Sequence, residues 1–341
     1  METKYWDIYH NAEEHQLAIQ QAAKLLQQGE AVAFPTETVY GLGANATDEQ
    51  AVNKIFNAKG RPQDNPLIAH VASKSQVAEL VTDWPDYVDK LMELYTPGPI
   101  TFVLPSNGRC APNVTAGLDT VGVRIPSHPI AQQLLTACGL PIAAPSANIS
   151  GKPSPTTALH VWEDLNGKIA AILDGGPTGV GLESTVIDCT NSIPIILRPG
   201  GVTKEQIEQA AGSVMVDPGL AVKTEKPKAP GMKYRHYSPE VPLWIVTGAK
   251  QNIKQTIDQL QAEGKRVGLM GTAQMIDGLH AHSTISLGET MEQVATNLYD
   301  ALRTFKRDDV DVIVCQSFSE RGIGQAVMNR LTKAASNYIH V

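Results

Sequence analysis

Two short segments carry the residues best suited to chemistry: Lys59-Gly60-Arg61-Pro62-Gln63-Asp64-Asn65-Pro66 and Pro145-Ser146-Ala147-Asn148. The first offers two cations and an amide, the second a hydroxyl and an amide, and proline stiffens both. Set side by side, they would make a cationic cleft for the phosphates of a nucleotide. Each also has a plainer reading. Cations at Lys59 and Arg61 complement a helix C-terminus, and Ser146, Asn148, Ser154 and Thr156 are common turn residues. Arg124 is more telling, because alternation puts Val121, Val123 and Ile125 on one face of a strand and Arg124 on the other. A guanidinium there needs a partner. Arg198 ends an apolar strand and enters the turn Pro199-Gly200. Both arginines suit either a bidentate clamp on a carboxylate or phosphate, or a structural ion pair. His70 reads as a half-buried histidine, and Glu183-Ser184-Thr185 as the opening of a strand.

Several familiar signals are missing. There is no G-x-x-x-x-G-K-[ST], G-x-S-x-G or H-E-x-x-H. Gly322-Ile323-Gly324-Gln325-Ala326-Val327 lacks the third glycine of a dinucleotide loop and reads as a turn and helix start. His280-Ala281-His282 has no accompanying ligand set and reads as surface. Cys110, Cys138, Cys189 and Cys315 are scattered, as expected of reduced thiols and not of a disulfide framework or zinc site.

The elements that must position these residues follow from periodicity. Ile19, Ala22, Ala23 and Leu26 mark a helix closed near Gly29, and Ala31 to Phe34 a strand that runs into the loop from Pro35 to Gly43. Asp48 caps a helix with the stripe Val52, Ile55 and Phe56, ending at Lys59-Gly60. Strands are expected at 67–71, 101–104, 121–125, 141–144, 171–173, 184–188 and 193–197, with helices around 74–82, 86–95, 129–138 and 156–165. The pattern predicts a mixed sheet with flanking helices over residues 1–210. Over 211–240 the periodicity fades into a basic linker with Lys223, Lys226, Lys228, Lys233 and Arg235, whose stretch Gly231-Met232-Lys233-Tyr234-Arg235-His236-Tyr237 is aromatic enough to fold over a ligand. Residues 241–341 alternate strands at 243–246, 266–270 and 312–315 with helices at about 249–262, 290–306 and 323–336, which predicts a small, doubly wound α/β domain.

At 341 residues, with 42% apolar and 18% charged positions, two globular domains are expected. A net charge of −7 argues against broad binding to nucleic acid or membrane surfaces. The polar N-terminal stretch is unlike a signal peptide, and no apolar run nears the ~20 residues needed to cross a bilayer. A cytoplasmic setting is expected.

Taken together, Pro35-Thr36-Glu37-Thr38-Val39-Tyr40-Gly41-Leu42, Lys59-Gly60-Arg61, Asn65-Pro66-Leu67, Pro97-Gly98-Pro99, Val123-Arg124, Pro145-Ser146-Ala147-Asn148 and Arg198-Pro199-Gly200 resemble the YrdC-like family. The basic linker and appended domain resemble its long, two-domain threonylcarbamoyl-AMP synthases, and the similarity spans essentially the whole chain. The resemblance implies a YrdC-like catalytic domain followed by a Rossmann-like one. It implies that L-threonine, bicarbonate and ATP give threonylcarbamoyl-AMP and pyrophosphate, for threonylcarbamoylation of an adenosine in tRNA by a downstream transferase complex. Thr38, His70, Arg124, Ala144 and Ser184 would hold threonine. Arg61, Asn65, Thr120, Ser146, Ser154 and Arg198 would hold ATP, with Tyr237 closing over it and Lys59 neutralising phosphate. Mg²⁺ would arrive on the triphosphate, held by substrate oxygens and water. Two other readings compete. A tRNA- or double-stranded-RNA-binding module fits the basic linker but not the net charge, and carbamoyl transfer of the hydrogenase-maturation type would require Cys-rich segments that are missing here.

Overall fold

The computed structural model describes residues 2–11, 13–218 and 236–340. These form two compact units. The first comprises residues 2–150, 154–179 and 183–218, and the second 151–153, 180–182 and 236–340. The linker residues Lys223 to Arg235 lie outside the described residues.

The first unit is built on one eleven-stranded mixed sheet. In spatial order its strands are Lys4–Asp7, Ala171–Asp174, Val32–Phe34, Gly41–Asn45, Ile142–Ala143, Ile68–His70, Thr120–Arg124, Ile100–Pro105, Thr185–Asp188, Ile195–Arg198 and Met215–Val216. Both faces of the Val32–Phe34 strand are buried. Val32 and Phe34 pack towards helices His15–Gln27 and Pro129–Cys138, while Ala33 joins Leu42, Val52, Ile55 and Phe56 on the opposite side. Helix Glu49–Lys59 starts where Asp48 accepts hydrogen bonds from the amides of Gln50 and Ala51, and it stops at Gly60 with φ +62°. That stop delivers Lys59 and Arg61 to one place.

Five short strands escape the sequence pattern. Gly41–Asn45, expected as loop, pairs antiparallel with Val32–Phe34, Phe34 facing Gly41. Glycine is a poor strand former, yet here it is required: a Cβ on Gly43 would come within 2.7 Å of Ile142 and 2.8 Å of Phe34. Lys4–Asp7 and Met215–Val216 are edge strands held by distant partners, Ala171–Asp174 and Ile195–Ile196. Ser283–Ser286 and Asn337–Ile339, in the second unit, are likewise edges.

The second unit has a five-stranded, wholly parallel sheet in the order Ser283–Ser286, Val267–Gly271, Val312–Gln316, Leu243–Val246 and Asn337–Ile339. Helices Lys250–Ala262, Met291–Thr304 and Gly324–Ala334 complete a doubly wound α/β domain. Thr290 and Gln293 form a reciprocal capping box at the start of the second of these. His280 and His282 are exposed, and the Val267 amide donates to His282 Nδ1 at 3.1 Å. Among the described residues no helix is long and apolar enough to cross a membrane.

Candidate active site

The S-x-N loop is fixed by backbone before its side chains matter. Gly41 bridges to Ser146, the Leu42 amide donates to the Pro145 carbonyl at 2.8 Å, and the Ala147 amide donates to Tyr40. Lys59 then closes it onto the basic loop. Its ammonium, almost completely buried, donates to the carbonyls of Ser146 at 2.5 Å and Asn148 at 2.6 Å. The Ser150 amide returns a bond to the Lys59 carbonyl. Within the loop, Ser146 Oγ donates to Asn148 Oδ1 at 2.6 Å. Lys59 therefore holds the loop that carries Ser146. On the same segment Arg61 Nη2 reaches the carbonyls of Asn65 and Pro66, at 3.3 and 3.2 Å, so the chain turns around its own guanidinium.

The central strands supply the floor. Along Thr120–Arg124, Val121 and Val123 are buried in the core, which leaves Thr120, Gly122 and Arg124 on the other face. A Cβ on Gly122 would touch Ile68 and Thr101 at 3.4 and 3.5 Å, so those neighbours share the face. Thr120 and Arg124 stand about 13 Å apart along it, at ~3.3 Å per residue. His70 is in register with Arg124 on the adjacent parallel strand. Ala144 follows Ile142–Ala143, its amide donating to the Ile68 carbonyl. Thr38 is fully buried, its hydroxyl 2.9 Å from that of Thr36.

Beyond Ile100–Pro105 the face continues to Ser184 and Arg198. Arg198 donates through Nε and Nη2 to the Ser184 carbonyl, at 3.2 and 3.0 Å, and through Nη2 to its hydroxyl. Thr101 Oγ1 lies 2.8 Å from the same hydroxyl. Ser154 Oγ donates to Glu183 Oε1 at 2.5 Å. Gly200 is needed beneath this turn, because a Cβ there would fall 2.3–2.4 Å from the backbone of residues 183–185.

Arg124 is ion-paired: Glu37 Oε1 lies 2.8 Å from its Nη2. Burial, reinforced by the Arg124 charge, depresses the His70 imidazole to about 3, so it is neutral in use. Burial pushes the Cys110 and Cys138 thiols up to about 11 and those of Cys189 and Cys315 higher still, which disfavours thiolate chemistry. Among the described residues no cluster of three or more His, Cys, Asp or Glu could cage a metal. Tyr237 belongs to the second unit. There it adopts φ +63°, stacks on Tyr299 with ring centroids 5.4 Å apart, and lies 5.5 Å from the Arg330 guanidinium. Sequence reasoning gave no role to Glu37, Thr101 or Glu183. Glu37 and Glu183 lie inside quoted motifs, whereas nothing local marks Thr101.

A large mixed sheet that carries Arg124 and His70 side by side and is tied to the Lys59-clamped loop, followed by a doubly wound domain, defines a two-unit α/β protein. The comparisons make this specific. The Sua5/YciO/YrdC family model, described as "Telomere recombination", matches residues 24–200, and "Threonylcarbamoyl-AMP synthase, C-terminal domain" matches 202–336. The threonylcarbamoyl-AMP synthase of Bacillus subtilis is 51% identical, over 99% of each chain, and that of Pyrococcus abyssi 50% identical over 92% of this chain and 93% of its own. The crystal structure of P. abyssi Sua5 complexed with L-threonine superposes with a TM-score of 0.91 at 47% identity, covering 99% of each chain. This chain belongs to the threonylcarbamoyl-AMP synthase family.

Two predictions follow from the geometry. Lys59→Met leaves two buried carbonyls without their charged donor, and should cost about 3 kcal/mol in urea unfolding; a loss below about 1 kcal/mol would show the clamp to be dispensable. Because the folded state disfavours the His70 proton, the unfolded chain binds more protons between about pH 3 and 6.5. The contribution of His70 is thus complete above 6.5 and declines as pH falls through this window. His70→Gln should flatten the acid side of a pH–stability curve, and an unchanged slope would contradict that.

Proposed function

We propose that this protein condenses L-threonine, bicarbonate and ATP to threonylcarbamoyl-AMP, pyrophosphate and water, acting as a nucleotidyltransferase. The observation that carries the reading is the shared face of the sheet: Arg124 and His70 at one end, Thr120 and the Lys59-clamped Ser146 loop towards the other, and Arg198 bonded to Ser184 between neighbouring strands. In this reading Arg124 takes the threonine carboxylate, and Thr38, neutral His70, Ala144 and Ser184 shape the pocket around its side chain. Arg61, Asn65, Ser146, Ser154, Thr120 and Arg198 hold the nucleotide.

The reaction asks for positioning and charge neutralisation more than for a protein nucleophile. The threonine amine attacks bicarbonate, forming the carbamate and releasing water. A carbamate oxygen then attacks the α-phosphorus, and the bond to pyrophosphate breaks. Fixed guanidinium groups stabilise the charge that builds on the phosphate oxygens without reorganising. Mg²⁺ enters as part of the ATP substrate, held by phosphate oxygens and water, which suits a cleft of amides, hydroxyls and cations. A tRNA threonylcarbamoyl transferase would consume the product. A cytoplasmic setting fits four buried, unpaired cysteines.

Pyrophosphate release should need all three substrates, each omission reducing it to background. Arg61→Ala and Ser146→Ala should each lower the rate at least about a hundredfold, the scale of losing a fixed donor to developing charge. Release that persists without threonine, or near-normal turnover in both variants, would overturn the assignment.

A further inference from the structure

Glu37 is the one carboxylate, among the described residues, whose two oxygens are both buried and without a hydrogen bond. Oε1 rests 2.8 Å from Arg124 Nη2, but without the direction of a hydrogen bond, and Oε2 makes no hydrogen bond. An ionised carboxylate has about four acceptor positions and normally fills them when buried. Glu183, a buried acid, shows the contrast, since it accepts from Ser154 at 2.5 Å. Arg124 is equally underused: its Nε and Nη2 make no hydrogen bond. The pair is therefore matched in charge and unsatisfied on both sides, in the pocket that reads as the amino-acid site.

A free amino acid is itself a matched pair, a carboxylate and an ammonium on one carbon. We propose that Glu37 receives the α-ammonium of the substrate whose carboxylate Arg124 receives, so that the two residues form a clamp for a zwitterion. The proposal rests on the amino-acid half of the function proposed above. Its physical logic is an exchange of partners. Without substrate, Glu37 and Arg124 neutralise each other; with substrate, each turns to the opposite charge on the ligand. Neither state leaves a buried ion uncompensated, which is the costly condition. An acid lacking the amine would satisfy Arg124 but strand Glu37, so the clamp selects for a free amino group. Glu37 is a specificity residue in this account.

The test is calorimetric titration of the full chain, with and without a non-hydrolysable ATP analogue, using L-threonine and 2,3-dihydroxybutanoate, in which a hydroxyl replaces the amine. Glu37→Gln should bind L-threonine at least about tenfold more weakly, a loss of ~1.4 kcal/mol. It should bind the dihydroxy acid as well as before or better, because Arg124 is no longer engaged. Glu37→Asp, which keeps the charge at shorter reach, should fall between. Unchanged binding of the ATP analogue reports that the fold is intact. Retention of L-threonine affinity within about twofold, or parallel loss of both acids with the analogue still bound, overturns the role of Glu37 alone. If the unsubstituted protein binds the analogue but not L-threonine, the proposed function fails, and the clamp with it.

Discussion

A single buried ammonium governs how the site is assembled. Lys59 has its charge withdrawn from water, and the carbonyls of Ser146 and Asn148 that point at it help to make that position tolerable. Those carbonyls belong to a loop more than eighty residues away in sequence. The helix that ends at Gly60 and the loop that follows Ile142–Ala143 are thus bound to a common point. Arg61, Asn65, Ser146 and Asn148 owe their mutual placement to it. The residue type matters, because an arginine's planar fork would not fit two converging carbonyls in the space of one ammonium. An apolar side chain would leave both acceptors without this donor.

Around this clamp the charge is arranged locally, against an acidic background of −7. Arg124 is balanced by Glu37, Arg198 is occupied by the Ser184 carbonyl, and Arg61 by its own loop. Cations held in this way present charge to a ligand at little ordering cost, which is the condition for electrostatic stabilisation of a phosphoryl-type transfer. His70 adds no charge: buried beside Arg124, it stays neutral and serves as shape and hydrogen bonding. The glycines complete the arrangement by omission. Gly122 adds no side chain to the floor between Ile68 and Thr101, and Gly200 lets the Arg198 turn lie against the backbone of Ser184.

Much of this was legible in the sequence where the signal is local. The Asp48 cap, the Gly60 stop and the stripe of Met291–Thr304 all gave helices close to those observed, and the alternation Val121-Val123-Ile125 placed Arg124 on the opposite face. The missed strands are those whose pairing is decided elsewhere. Gly41–Asn45 has weak strand propensity and exists because Phe34 and Ile142 leave room for no side chain at Gly43. Lys4–Asp7, Ser283–Ser286 and Asn337–Ile339 are edges recruited by distant strands. At the site, motif residues could be named, but their partners could not. Lys59 reads as a phosphate cation in one dimension, and its bonds to two backbone carbonyls emerge only in three. Glu37 sits unremarked between two threonines until Arg124 is brought 2.8 Å away.

The central claim is that this face joins an amino acid to a nucleotide through a carbon derived from bicarbonate. Mass spectrometry of the adenylate formed from L-threonine, ATP and ¹³C-bicarbonate tests it most directly. The account predicts one nucleotide product carrying threonine, AMP and a single ¹³C. An adenylate of threonine without the label, or AMP released with no adduct, would contradict it.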